Sequence, residues 1–382
     1  MIVANNSKRC SYFDALSHST ISPDEFRLTV EQVRKSSLAA HERNSAQFNQ
    51  APVNYDPVIP QFFIIPPKTA WNFTGGNCEA LSTRTLTSNR SGNWHRELMS
   101  HAWRYTNLKK IPRYAVELSG GFDTALIIAI LKKIEAPIYL IGVRSDRYEF
   151  RTERKVQDYF SSYGTTIFIP EEEATPFTKL LDCPSHRLPN KAALFYRRHV
   201  AVAAAATKLS VSSIINGLAL EPLICEPVSA DVNNFRFEKW KWEDPWPNEY
   251  VYGPQGKSYV NIATYQPFAQ LARHMRKGQL EDSHKTWARS EFKSYLPTML
   301  TEHRYKAAFD GVYESSLQKA ETEIREVGRI AFDISKCDAL KPENLVSYIT
   351  RYNSLSHREE IIMMARISYA LWIYCLSRDG VI

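Results

Sequence analysis

Residues 119–124 combine the residue types that bind a phosphate group: a serine, two glycines, an aspartate and a threonine. Glycine lets the backbone adopt conformations that a Cβ forbids, so backbone N–H groups can point at an anion. The hydroxyls of Ser119 and Thr124 can add hydrogen bonds, and the carboxylate of Asp123 can hold Mg²⁺. The spacing therefore predicts an anion-binding site made by Ser119, Gly120, Gly121, Asp123 and Thr124.

The elements on either side of this stretch are those that such a site requires. A short, mostly apolar run at residues 114–118 predicts a strand, and apolar residues at helical spacing from residue 125 onward predict a helix. A strand, a glycine turn and a helix in this order place the anion at the positive end of the helix dipole. The stretch has neither the Gly-x-x-x-x-Gly-Lys-Ser/Thr of a P-loop nor the Gly-x-Gly-x-x-Gly of a dinucleotide-binding turn.

Strand and helix patterns alternate from about residue 96 onward, which predicts an α/β fold with a parallel, doubly wound sheet. The predicted strands are residues 114–118, 138–143, 165–169 and 213–216, and long helical patterns lie between them. Ligands in such sheets bind beyond the carboxyl ends of the strands. The glycine stretch, Val143 and Gly217 all fall at such ends, and all are predicted to line one site.

Composition divides the chain into two predicted domains, residues 1–95 and residues 96–382. The first is rich in Ser, Asn, Thr and Pro, and residues 61–65 are its strongest strand candidate, so we expect a small, partly β or irregular region. The second ends in a mostly helical part from residue 266 onward. Residues 235–259, dense in Trp and Pro, predict either a long structured loop near the site or a surface hairpin packed by its own aromatic rings.

Composition and charge indicate which classes of protein this chain can belong to. The chain is 44% hydrophobic and 23% charged, as in ordinary globular proteins, and has no run of about 18 apolar residues that could cross a bilayer. The polar segment of residues 1–34 does not resemble a signal peptide, so we expect a cytoplasmic protein. A net charge of +7 without a long basic run favours a solvated surface over a nucleic-acid-binding one. The six cysteines are scattered without a Cys-x-x-Cys pair, so no structural zinc site is expected.

The longer stretch Val116-Glu-Leu-Ser-Gly-Gly-Phe-Asp-Thr124 resembles the pyrophosphate loop (PP-loop) of the ATP pyrophosphatases, which have the adenine nucleotide alpha hydrolase-like fold. It is most similar to the asparagine synthetase branch, which includes β-lactam synthetases and lasso-peptide cyclases. The resemblance covers roughly residues 96–320. It implies ATP and Mg²⁺ as cofactors, with pyrophosphate held by the glycine loop and the adenine near Val143.

The resemblance also assigns roles to residues further along the chain. Residues 216–222 match a second family loop that contains Gly217, but Leu218 replaces the family's glutamate and Glu221 replaces its Mg²⁺-binding aspartate. On this basis Asp123 and Glu221 are the predicted metal ligands. Lys306, in Arg304-Tyr-Lys306, is the predicted cation that contacts the phosphates and stabilises the transition state. Tyr265 and Glu221 are alternative general bases.

The implied activity is that of an AMP-forming carbon–nitrogen ligase: adenylation of a carboxylate, release of pyrophosphate, and transfer of the acyl group to an amine. The chain starts Met1-Ile2 and its first cysteine is Cys10, so we do not expect the glutaminase that supplies ammonia to asparagine synthetases. The expected substrate is a peptide or specialised metabolite, with a precursor peptide or another biosynthetic enzyme as partner. The alternatives are an ATP pyrophosphatase that modifies a nucleobase or tRNA, and a nucleotide-binding scaffold that has lost catalysis.

Overall fold

The computed structural model describes residues 113–133, 137–186, 189–217, 245–261, 289–290, 293–294, 296–302 and 310–382, together with strands between residues 2 and 81. These early strands are Ile2–Asn5 (β1), Ser11–Asp14 (β2), Ser19–Ile21 (β3), Phe62–Ile65 (β4), Thr69–Thr74 (β5) and Asn77–Leu81 (β6). They form two antiparallel three-stranded sheets, with strand orders β1-β5-β6 and β3-β2-β4. The strand predicted at residues 61–65 is confirmed, but the sequence analysis missed the other five. The division into two domains stays a prediction.

A separate five-stranded parallel sheet lies within residues 113–261. Its strands are Tyr114–Glu117 (β7), Tyr139–Arg144 (β8), Thr165–Pro170 (β9), Ser213–Asn216 (β10) and Ser258–Asn261 (β11), in the spatial order β11-β10-β7-β8-β9. The four strands predicted from the sequence are confirmed. The fifth, β11, begins at the end of the Trp-rich segment and was not predicted. The described residues 245–257 before it form short helical turns with Trp246 and Tyr252 buried, so this part of the segment is not a surface hairpin.

Helices cover both faces of the sheet, as the alternating pattern predicts. These helices are Phe122–Lys133 (α1), Arg151–Ser161 (α2) and Tyr196–Lys208 (α3). Ala115, Ile141 and Ile214 belong to a buried cluster shared with α3 and the C-terminal helices. Side chains alternate along a strand, so the intervening Val116 and Ile215, also fully buried, face the side covered by α1 and α2. The fold is therefore α/β with a doubly wound parallel sheet.

The C-terminal part is helical, as expected. After the short helix Thr298–Glu302 (α4), three longer helices follow: Asp310–Ser335 (α5), Pro342–Thr350 (α6) and His357–Arg378 (α7). They pack on one another, and their apolar residues join the same core cluster as α3. A capping box between Ser356 and Glu359 starts α7 by satisfying N–H groups at its first turn.

Helix α7 is also long and apolar enough to cross a membrane by length and composition alone. Within its Arg358–Arg378 span, however, 67% of the most apolar window is buried inside the protein. Its side chains pack against α5 and α6, which is the setting of a core helix. The start of the alternating pattern, residues 96–112, and the start of the predicted helical part, residues 266–288, lie outside the described residues.

Candidate phosphate-binding site

The glycine stretch lies where the strand order of the parallel sheet reverses. From β7 the chain moves outward through β8 to β9 on one side, and β10 and β11 then fill the other side. The carboxyl ends of β7 and β10 are therefore neighbours, because the two strands pair in parallel. Such a switch point opens a crevice in doubly wound sheets and is their usual ligand site.

Gly120 is a position that only glycine fits. Its φ is +85°, in the left-handed region, and a Cβ there would lie 2.7 Å from the carbonyl oxygen of Glu153 and 2.8 Å from its Cβ. The loop therefore rests directly on helix α2. The first glycine of the pair is required both by its own backbone conformation and by this close approach.

Three hydrogen bonds link the residues of the loop to one another. The Gly121 N–H donates to Ser119 Oγ at 3.2 Å, the two hydroxyls of Ser119 and Thr124 lie 2.8 Å apart, and Thr124 Oγ1 donates to the Gly121 carbonyl at 3.3 Å. All three hydrogen bonds can form at once if the Ser119 hydroxyl donates to the Thr124 hydroxyl. The helical ladder of α1 begins immediately afterwards, because Ala125 N donates to Gly121 O at 3.2 Å. The loop and the N-terminus of α1 are thus one preorganised unit.

Gly217, at the end of β10, touches this unit from the neighbouring strand. A Cβ at Gly217 would lie 2.9 Å from Thr124 Cγ2, 3.2 Å from the Thr124 nitrogen and 3.4 Å from Asp123 Cβ. The structure therefore brings Gly217, Asp123 and Thr124 together, although 93 positions separate Gly217 and Thr124 in the sequence. Asp123 is half-buried in the first turn of α1, where the helix dipole favours a negative charge.

Val143 lies at the carboxyl end of β8, on the other side of β7. Its carbonyl accepts a hydrogen bond from Gln157 Nε2 at 2.9 Å, and the same nitrogen donates to the Leu118 carbonyl at 3.2 Å. Gln157 is 2% exposed. This buried amide ties the ends of β7 and β8 together and fixes Val143 relative to the glycine loop.

A cation also lies beside the loop. The guanidinium carbon of Arg289 is 4.8 Å from the ring centre of Phe122, the first residue of α1. It adds positive charge at the helix end that would face an anion. The sequence analysis gave Arg289 no role. Lys306, Glu221 and Tyr265, the three residues assigned catalytic roles from the resemblance, lie outside the described residues, and their roles stay predictions.

A buried ionic network lies directly beneath the loop. Glu117, the last residue of β7, is 5% exposed and forms an ion pair with Arg198 of α3. Tyr259 of β11 donates its hydroxyl to the other Glu117 oxygen at 2.6 Å. The nearby carboxylate raises the pKa of Arg198 above its ordinary value. These residues link three elements at the base of the site. A charged residue within the apolar run 114–118 was the sequence signal that could have identified Glu117.

His199, the neighbour of Arg198 on α3, is held neutral by its surroundings. Burial, assisted by the charge of Arg198, lowers the pKa of His199 to about 3. Its Nδ1 lies 3.2 Å from the Tyr252 hydroxyl, and the ring packs edge-on against Tyr252 and Tyr259, which stack on each other at 4.8 Å. The neutral imidazole therefore supports the base of the site as a packing and hydrogen-bonding group.

The residues at the loop fit a hard divalent cation bound together with phosphate. Mg²⁺ is usually held by one or two carboxylates plus phosphate oxygens and waters. Asp123 supplies one carboxylate at the helix N-terminus, next to the end of β10, where Gly217 is in contact with it. The second predicted ligand, Glu221, follows the described part of that strand by a few residues.

Comparisons with known proteins show only a weak structural similarity. No protein-family model matches the chain, and no curated protein matches it. Among solved structures, the NMN synthetase from Francisella tularensis is similar over 58% of this chain and 98% of its own length, with 15% sequence identity and a TM-score of 0.27. A similarity of this size does not indicate the function of this chain.

Proposed function

We propose that this chain is an ATP-dependent ligase that adenylates a carboxylate, releases pyrophosphate and transfers the acyl group to an amine. The observation that carries the proposal is the glycine loop 119–124 at the switch point, packed on α2 through Gly120 and on β10 through Gly217. A preorganised loop of this kind at a helix N-terminus suits a polyphosphate.

The chemistry follows from how a carboxylate is activated. A carboxylate oxygen attacks the α-phosphorus of ATP, the bond from the α-phosphorus to the bridging oxygen breaks, and pyrophosphate leaves with the electron pair. The loop residues Ser119, Gly120, Gly121 and Thr124 bind this leaving group and stabilise the charge that develops on it. An amine then attacks the acyl carbon of the mixed anhydride and expels AMP.

The remaining roles are assigned by charge and position. Asp123 holds magnesium, which neutralises phosphate charge when bound. Arg289 adds positive charge near the first turn of α1. Lys306 stabilises the transition state, Glu221 is the second metal ligand, and Glu221 or Tyr265 takes the proton of the amine. The carboxylate substrate is a peptide or a small specialised metabolite, with a precursor peptide or another biosynthetic enzyme as partner, and the reaction is cytoplasmic.

The test begins with nucleotide binding. Isothermal titration of wild-type protein with ATP in magnesium buffer is compared with the Asp123→Asn variant, which keeps the size of the side chain and removes its charge. We expect Asp123→Asn to weaken binding at least about tenfold, equivalent to about 1.4 kcal/mol. The circular dichroism spectrum should not change. Asp333→Asn, at an exposed carboxylate of α5, is the matched control and should bind like wild type.

The products separate this proposal from its alternatives. Candidate carboxylates are incubated with ATP and hydroxylamine, which traps an acyl adenylate as a hydroxamate. The proposal expects AMP and pyrophosphate, and both should be lost in Asp123→Asn. Formation of ADP and phosphate, or equal ATP affinity in wild type and Asp123→Asn, would contradict it. ATP binding that depends on Asp123, without turnover of any carboxylate, would favour the inactive scaffold that the replaced residues Leu218 and Glu221 suggest.

A further inference from the structure

Three metal-ligating side chains from distant parts of the sequence meet in the interior beside helix α7. Cys183, His186 and Cys375 are all buried, and their sulfur and ring nitrogen atoms lie within 4.8 Å of one another. None of them belongs to the candidate phosphate-binding site. We propose that these three residues bind a thiophilic transition-metal ion, and that this ion is zinc.

The types and spacing of the three residues fit zinc. Zinc prefers cysteine sulfur and histidine nitrogen in tetrahedral sites. Two of its ligands usually come from one short segment of the sequence, in which two or more residues separate them. Cys183-Pro-Ser-His186 supplies two ligands from one short segment, and Cys375 supplies a third from α7. Two sulfur donors exclude magnesium and calcium, which take oxygen ligands. A small exogenous ligand such as water completes the tetrahedron.

The histidine is oriented as a metal ligand would be. Its Nδ1 lies 3.0 Å from the carbonyl oxygen of Pro184, so Nδ1 carries the proton and donates it. The lone pair is therefore on Nε2. This atom is buried, and the His186 ring interacts with the Cys375 thiol. Metal-bound histidines commonly donate their other ring N–H to a backbone carbonyl in this way, which fixes the tautomer and the ring orientation.

Surrounding hydrogen bonds hold the ligands in place before any ion binds. Ser185 Oγ donates to the carbonyl of Cys375 at 2.8 Å, and Arg378 Nη1 donates to the carbonyl of Leu181 at 2.8 Å. On the other side, the carboxylate of Glu323 on α5 accepts from the Leu181 nitrogen at 3.3 Å. The segment that carries Cys183 and His186 is thus fixed to both α5 and the last turn of α7.

Aromatic rings pack against the histidine of the cluster. The His186 ring packs edge-on against Trp246 at 5.7 Å and against Tyr250 at 6.0 Å. His186 itself is 2% exposed. Large aromatic rings packed against a ligand slow the exchange of a bound ion with solvent. Zinc binding here would release the two thiol protons and join the segment after β9 to the C-terminal helix.

The experiment uses the full-length chain purified without chelator. Zinc content is measured by mass spectrometry of the metal, and the protein is then stripped with a chelator and titrated with Co²⁺ as a spectroscopic probe. We expect about one zinc per chain and a thiolate-to-cobalt charge-transfer band. Adding Zn²⁺ alone to the stripped protein should raise its melting temperature.

Variants decide whether these three residues are the ligands. Cys375→Ser and His186→Asn should each lower zinc content at least about tenfold and remove the stabilisation by added Zn²⁺. Cys337→Ser, at a half-exposed cysteine outside the cluster, is the matched control and should behave like wild type. If Cys375→Ser does not fold, His186→Asn and the cobalt spectrum of the wild type give the answer.

Three results would overturn the proposal. The first is wild-type protein that contains no zinc and gives no sulfur charge-transfer band with Co²⁺. The second is zinc content that stays the same in Cys375→Ser and His186→Asn, which would locate the ion elsewhere. The third is a disulfide between Cys183 and Cys375 in freshly purified protein, found by peptide mapping without reduction.

Discussion

Replacing Gly120 with alanine tests the packing of the glycine loop on helix α2 and its link to ATP binding. An alanine at φ +85° costs about 1–2 kcal/mol because an L-residue is strained in the left-handed region. Its Cβ would also lie 2.7 Å from the Glu153 carbonyl oxygen, and overpacking of this kind costs about 1–3 kcal/mol. The expected loss of unfolding free energy is therefore about 2–5 kcal/mol.

Gly256 provides a control that separates strain from collision. Its φ is +67°, so alanine there is strained in the same way, but no described atom beyond its two chain neighbours lies within 4 Å of the Cβ position. Gly256→Ala should therefore cost only about 1–2 kcal/mol. The difference between the two variants isolates the contact with α2.

Urea unfolding followed by tryptophan fluorescence measures the stabilities, and isothermal titration measures ATP affinity. Gly120→Ala must shift either the loop or α2, so we expect ATP binding to weaken at least about tenfold. Gly256→Ala should bind ATP like wild type. If the two variants were equally stable and both bound ATP normally, the packing of Gly120 on α2 and its role in binding would be refuted.

Two further predictions concern the base of the site. Glu117→Gln leaves the Arg198 charge without its partner and should destabilise the fold by ~2–3 kcal/mol, less than a fully buried pair because Arg198 keeps some exposure. Glu326→Gln, in an exposed pair, should change stability by less than about 1 kcal/mol, and equal losses in both variants would contradict the burial argument. The pKa of His199 is about 3 in the folded chain, against an ordinary value of 6.5. Between these two pH values His199 is protonated only in the unfolded chain, so the free energy of unfolding falls as the pH falls. From pH 6.5 to 5 the wild type should lose roughly 1.6 kcal/mol more than His199→Gln in urea unfolding, and parallel pH profiles would show that His199 is not held neutral.

The sequence predicted those parts of the fold and site that depend on neighbours in the chain. Apolar runs and helical spacing identified four of the five parallel strands and the helices between them. The Ser-Gly-Gly-x-Asp-Thr order located the turn after β7, because a positive φ and a helix start are local properties. Strand β11 was missed because Ser258–Asn261 is short and follows a Trp-rich segment without a clear alternation.

Only the tertiary structure decided which distant residues meet. The contact of Gly217 with Thr124 requires β10 to lie beside β7, and the pairing of Glu117 with Arg198 and Tyr259 requires α3 and β11 to pack under the loop. Cys183 and Cys375 lie far apart in the sequence, yet both belong to one buried cluster with His186. The sequence alone does not show that these three side chains meet. Sequence patterns report local backbone preference and burial, whereas the partners of a buried polar group are set by how whole elements pack.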